Sequence, residues 1–228
     1  MDQESVTPGD MVSKDGDQWV YNGAYWQPLR GRSMHHSLQT FSGRFMWPLQ
    51  PHEDEIFVED IAHGIACEYR YGNQSPYPYS VAWHSVALSY VVPDHLKKFA
   101  LLHDAPEGYI KDIPRTIRSQ EPFKSEYEKI DHRLLEVICS RFGIEVQMQK
   151  LRVYDIQMSH SEMIVWAEEN PVFLAKMRAL NIDLTPAYNE EWLDWVRRCP
   201  RHDHWKKTEV VWLQRYEELF DANSKTNH

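Results

Sequence analysis

From about residue 53 onward, apolar residues recur at three- and four-residue intervals, and that period constrains the fold more than any other feature of the chain. Val58, Ile61, Ala62, Ile65 and Tyr69 form one such stripe, preceded by Glu53, Asp54 and Glu55, which suit a helix N-terminus through the macrodipole. After the breakers around Gly72, Pro76 and Pro78, a second helix is expected over about 80–91, stopping at Pro93. A third begins near Asp94 and places Leu96, Phe99, Ala100 and His103 on one face. Phe123, Tyr127, Ile130, Leu134 and Ile138 continue the pattern, with Gly143 as a C-terminal stop. A fifth helix is expected over roughly 146–169, ending before Pro171, and the stretch 205–220 is again amphipathic. Strand signals are sparse after residue 32, so the main domain, 33–228, reads as an all-α helical bundle.

Residues 1–32 differ. Lys14-Asp15-Gly16-Asp17 and Asn22-Gly23 are turn signals on either side of Gln18-Trp19-Val20-Tyr21, which favours a strand. This segment is expected to be a small β-hairpin or meander, serving as a packing arm or an oligomer contact. At 228 residues the chain can bury a core without disulfides or a structural metal. Its 42% hydrophobic and 26% charged residues exclude wholesale disorder. The longest apolar-leaning run, 80–92, contains His84 and three serines and is too short and polar to span a bilayer. The N-terminal text MDQESVTPGD is not that of a secretory signal, so a cytoplasmic protein is expected. A net charge of −9 disfavours a broad nucleic-acid-binding face, and a nucleic-acid partner is not expected. Cys67, Cys139 and Cys199 are odd in number and form no CxxC, which argues for small buried or half-buried thiols of a reducing compartment.

The segment that carries chemistry is Leu101-Leu102-His103-Asp104-Ala105-Pro106-Glu107. Adjacent His and Asp at the end of an apolar helix are costly to bury without partners. Imidazole nitrogen and carboxylate oxygen are good ligands for a divalent first-row metal, but two residues do not fill a coordination shell. His84 shares its helix face with Val81, Ala87 and Leu88, and Asp155 shares its face with Leu151 and Met158, so both point inward and are candidates to complete it. Taken singly, an inward His is ordinarily a hydrogen-bonded core residue and an inward Asp a cap or half of a buried pair. His63 is a rival ligand, but the neighbouring Glu59, Asp60 and Arg70 make its face read as solvent-facing or as backing another ligand.

The order His84, His103-Asp104, Asp155 resembles the HD-domain metal-dependent phosphohydrolases. Tyr79 to Ser85 looks like that family's first-histidine segment, and His103 to Glu107 like its His-Asp motif with the following glutamate. Asp112-Ile113-Pro114 resembles the segment that follows, and Trp47-Pro48-Leu49 resembles a motif of the bacterial HD-domain 5′-deoxynucleotidases. Phage-encoded relatives, among them dATP triphosphohydrolases, share this compact layout. The likeness covers about residues 41–165. The chain departs from it at Trp83, where Glu or Gln is common, and at Met46, where the nucleotidases place an Arg.

The resemblance implies a compact HD-domain bundle and a metal site of His84, His103, Asp104 and Asp155. The metal would be manganese, cobalt, zinc or iron, with additional magnesium for a triphosphate. Glu107 would orient the attacking water or protonate the leaving oxygen, unless it is a solvated surface glutamate. Asp112 would contact the sugar or hold a basic side chain, unless it merely forms a turn. Arg115 and Arg118, then Lys111, Arg44 and Arg70, are the candidate phosphate-binding cations, and Trp47 with Met46 and Phe45 would line the sugar and base. The implied activity is hydrolysis of deoxynucleotides, foremost dNTP (dATP among them) to deoxynucleoside and triphosphate. The alternatives are a 5′-deoxynucleotidase and a catalytically silent nucleotide-binding or assembly module. A homo-oligomer is expected, in the host cytoplasm if the chain is phage-encoded.

Overall fold

The computed structural model describes residues 6–221; residues 1–5 of the expected arm and 222–228 of the expected helical domain lie outside them. The arm is a three-stranded antiparallel meander, β1 (Met11–Lys14), β2 (Asp17–Tyr21) and β3 (Trp26–Pro28), in spatial order β1-β2-β3. Asp15 and Gly16, both with positive φ, form the two-residue turn whose twist suits a hairpin. A second ladder, β4 (Leu38–Gln39) with β5 (Phe45–Met46), was not expected from the sequence. It belongs with the meander, because the Gln27 side chain accepts from the Phe45 N–H at 3.0 Å and also donates to the Phe45 carbonyl. Val20, Leu29 and Trp47 form the small core of this unit.

The helices follow as α1 (Val58–Cys67), α2 (Val81–Val91), α3 (Lys97–Leu102), α4 (Glu107–Ile110), α5 (Arg115–Arg118), α6 (Phe123–Arg141), α7 (Met148–Glu169), α8 (Ala175–Ala179), α9 (Glu190–Arg197) and α10 (His204–Phe220). Glu53–Glu55 form a separate 3-10 turn and do not begin α1. The buried Glu55 takes ion pairs from Arg30 (3.0 Å) and from Arg32, tying the arm to the bundle instead of serving a helix dipole. α2 begins at a Ser80 cap, whose Oγ accepts the Trp83 N–H at 3.2 Å, and ends ahead of Pro93. It packs against α1, α3, α7, α9 and α10, so residues 81–89 are buried on every side. That central position explains how His84 comes to lie inside the protein. No helix among the described residues is long and apolar enough to cross a membrane. Cys139 and Cys199 are buried, whereas Cys67, at the end of α1, is exposed, contrary to expectation.

Candidate metal centre

Three elements bring four side chains together. α2 supplies His84, the end of α3 supplies His103 and Asp104, and α7 supplies Asp155. One ligand atom each from His84, His103 and Asp104 falls within a 4.8 Å group. Asp155 Oδ1 lies 3.1 Å from His84 Nε2 and 3.9 Å from His103 Nε2, while Asp104 Oδ2 lies 3.1 Å from His103 Nε2. The His103 tautomer is set by Nδ1–H donating to the Ala100 carbonyl at 2.8 Å, which leaves Nε2 facing the carboxylates. His84 Nδ1–H donates to Glu162 Oε1 at 2.6 Å with the same result. Both Nε2 atoms are buried, and among the described residues neither makes an aligned hydrogen bond. Two buried imidazole nitrogens turned toward two carboxylates fit a divalent cation, which would take the lone pair on each nitrogen once the proton on His84 is displaced. Asp155, with its side chain 28% exposed, is the most open of the four.

The electrostatics agree with a site short of positive charge. Burial and Arg70 both oppose a charge on His84, but the Glu162 and Asp155 carboxylates outweigh them and raise its pKa to about 9. Burial would raise Asp104, yet His103, His84 and Arg70 hold it well below the usual carboxylate range. Asp155, which burial alone would also push up, is lowered to about 2 by His84 and His103.

Glu162 and Arg70 back the ligands. Glu162, on α7 seven residues after Asp155, is fully buried and accepts from Tyr71 Oη as well as from His84. Arg70 Nη1 donates to Asp104 Oδ2 at 3.2 Å, Nη2 donates to Ser159 Oγ at 3.1 Å, and Nε is 3.5 Å from Glu162 Oε2. Arg70 is therefore not on the solvent-facing stripe assigned to it from the sequence. It follows α1, held by an antiparallel bridge between Tyr69 and Ser80.

No protein-family model matches the chain. Over 107 residues it is 32% identical to the uncharacterized protein YfdR of Escherichia coli K12, a match covering 47% of this chain and 58% of that protein. It is 34% identical over 112 residues to an uncharacterized protein of Rhodobacter capsulatus, covering 45% of this chain and 56% of the relative. The match thus spans little more than half the length of either relative, and neither name carries an activity.

Around the cluster, the expected residues separate into two groups. The helix does not run on past Pro106; residues 103–106 form turns, and α4 starts afresh at Glu107. Glu107 still points inward. It is 3% exposed, its Oε2 lacks a hydrogen-bond partner among the described residues, and Arg118 Nη1 is 3.6 Å from Oε1. Burial first, then Asp104 and Asp112, push its carboxyl well up, against Arg70 and Arg118. The surface-glutamate alternative is thereby excluded. Asp112 is raised by burial and Asp104, and opposed by Arg70 and Arg118, so it belongs to the same field. Asp131 on α6, which sequence reasoning missed, is raised to about 6 by burial and by Asp104. Lys111 and Arg115 are exposed, and Lys111 Nζ is paired with Glu68 at 2.7 Å.

Trp47, Met46 and Arg44 do not join the site. Trp47 is 2% exposed, donates from Nε1 to the Ser33 carbonyl at 2.8 Å, and is covered by Arg32, whose Cζ is 3.9 Å from a ring centroid. An indole so enclosed has no face left for a sugar. Met46 is fully buried in the helical core, and Phe45 packs against the N-terminal core. Arg44 pairs with Glu59 at 2.7 Å, its guanidinium stacked 3.4 Å from the Phe57 centroid. His63 is not a rival ligand: Nδ1 is 3.1 Å from Glu209 of α10, and the ring stacks on Phe41 at 3.9 Å. Asp60, expected to face solvent, is buried and accepts from the Ser42 N–H at 2.7 Å and from Ser42 Oγ at 2.8 Å. Glu162 had one sequence signal, a charged residue two helical turns beyond Asp155 on the stripe shared with Met158 and Val165.

Proposed function

We propose that this chain is a metal-dependent phosphohydrolase of the HD-domain type, acting on deoxynucleoside triphosphates to give deoxynucleoside and triphosphate. The observation that carries the reading is the pair of buried Nε2 atoms of His84 and His103, without an aligned hydrogen bond among the described residues and each 3.1 Å from a carboxylate oxygen, of Asp155 and Asp104 respectively. His84, His103, Asp104 and Asp155 would hold a divalent transition metal, which would supply a water of lowered pKa and offset charge on a phosphate oxygen. The protein's own residues do the rest. Glu107, buried and with its carboxyl pushed up by burial and by Asp104 and Asp112, is placed to give a proton to the 5′-oxygen as the bond to the α-phosphorus breaks. Arg118, beside Glu107 and half-buried, offers the phosphates a charge on a protein that is otherwise acidic. Residues 79–85, 103–107 and 112–114 carry only the likeness to HD-domain phosphohydrolases in general; the deoxynucleotide substrate class rests on the likeness of Trp47-Pro48-Leu49 and of the compact layout to the nucleotidases and their phage relatives, the buried Trp47 itself making no sugar contact.

The test is a panel of dNTPs, dNMPs and NTPs, each with manganese, cobalt, magnesium or zinc, with products separated by chromatography. Triphosphate release from dNTPs with a transition metal is expected. Phosphate release from dNMPs alone would move the protein to the 5′-deoxynucleotidases. Purified protein that binds no metal and hydrolyses none of the panel would end the proposal.

A further inference from the structure

His84 is held by more than packing. Its Nδ1–H donates to a fully buried carboxylate, Glu162, which has three claims on it: His84 at 2.6 Å, the Tyr71 hydroxyl, and Arg70 Nε at 3.5 Å. Arg70 in turn donates to Asp104, on the opposite side of the cluster, at 3.2 Å, and is steadied by Ser159 at 3.1 Å. Ser159 and Glu162 lie on α7, the helix that also carries Asp155. One continuous chain of polar contacts therefore runs from a ligand on α2, through α7 and the segment after α1, to a ligand at the end of α3. A buried carboxylate on the far nitrogen of a ligating histidine fixes the tautomer and the ring plane and makes the near nitrogen a better donor. The charges also balance: Arg70 offsets Glu162, leaving the two negative charges of Asp104 and Asp155 for a divalent ion.

We propose that Glu162 and Arg70 are positioning residues of this metal centre, Glu162 aiming His84 Nε2 and Arg70 holding Asp104 in register with it. The inference rests on the metal-binding part of the function proposed above. Neither residue touches substrate; both act through ligands. Loss of such a backing group weakens metal binding by roughly 10- to 100-fold. Glu162→Gln keeps the shape and one acceptor for His84 but removes the charge. Arg70→Lys keeps the charge but not the fork that spans Asp104 and Glu162.

The experiment measures the dissociation constants for cobalt and zinc by chelator competition, on wild type, Glu162→Gln, Arg70→Lys and Glu209→Gln. The last removes a carboxylate from a histidine outside the cluster and serves as control. The expected result is a loss of about 10- to 100-fold for Glu162→Gln, a smaller loss for Arg70→Lys, and none for Glu209→Gln. Turnover in Glu162→Gln should return when metal is raised to saturation, with KM for substrate unchanged, which a merely structural defect would not allow. In zinc-loaded wild type the His84 Nδ1–H proton should be shifted downfield by its bond to the carboxylate, and in Glu162→Gln, where the acceptor is neutral, that shift should shrink. If Glu162→Gln fails to fold, Tyr71→Phe, which removes a single donor to Glu162, should still weaken metal binding. Equal dissociation constants in wild type, Arg70→Lys and the Glu162 or Tyr71 variant would overturn the inference. A wild-type protein that binds no metal would instead overturn the function on which it rests.

Discussion

Gly64 of α1 and Gly108 of α4 cross so closely that a Cβ built on Gly64 falls 2.7 Å from the Gly108 oxygen and 2.9 Å from its Cα. Ordinary contact begins near 3.4 Å, so Gly64→Ala asks the two helices to part by the difference, about 0.7 Å. Two effects compete. Alanine is the better helix former by about 1 kcal/mol. Overpacking a tight contact costs about 1–3 kcal/mol, and the upper part of that range applies when the obstacle is backbone that no rotamer change can move. The expected net loss is therefore about 1–2 kcal/mol, seen as a lower urea midpoint at unchanged slope. The displacement reaches chemistry too, because Gly108 follows Glu107 directly. Misplacement of a reacting group by close to 1 Å costs up to roughly 100-fold in rate, so turnover should fall by about tenfold or more while metal content holds. A Gly64→Ala protein as stable and as active as wild type would refute the reasoning, since propensity would then have won and the crossing would be slack.

Other expectations follow from the same geometry. His84 carries its proton up to about pH 9 in the metal-free protein, so a metal must displace it. Apparent metal affinity should rise about tenfold per pH unit toward that value, with proton release visible by calorimetry in buffers of different ionisation enthalpy. Because this folded-state pKa lies above the unfolded value of 6.5, the stabilisation is complete below 6.5 and fades as pH rises through 9. Metal-free protein should lose on the order of 3 kcal/mol across that window; flat urea midpoints between pH 6 and 10 would contradict the assignment. Glu107→Ala should retain metal and substrate but lose roughly 100-fold in turnover, and near-normal rates would remove it from the chemistry. Trp47→Ala should cost about 3–5 kcal/mol of stability yet leave the ratio of kcat/KM for matched dNTP and NTP pairs unchanged, measured by unfolding and by steady-state kinetics.

The readable parts of the chain are those governed by local rules. α2 has a serine cap, a proline stop and an apolar circumference, so both its limits and the inward aim of His84 follow from the text around it. The same holds for Asp155, whose neighbours on α7 share its face. The missed features depend on partners remote in sequence. Arg70 reaches Asp104 only because the Tyr69–Ser80 bridge folds the segment back after α1. The two-residue strands β4 and β5 are too short to show a period, and their pairing is stabilised from outside by Gln27. Trp47 illustrates the limit of motif reading: three matching residues say nothing about which side of the chain the indole takes, and here Ser33 and Arg32 take it.

Six residues of unbroken helix lie between Asp155 and Glu162, and this places an arithmetic constraint on how the gene can vary. Each residue turns an α-helix by about 100° and advances it by about 1.5 Å, so a single insertion or deletion between them would rotate Glu162 out of reach of His84. Length changes in such a protein should therefore accumulate in the connections before and after α7, and not within this interval. The spacing of aspartate and glutamate gives a ruler against which any homologous sequence can be laid.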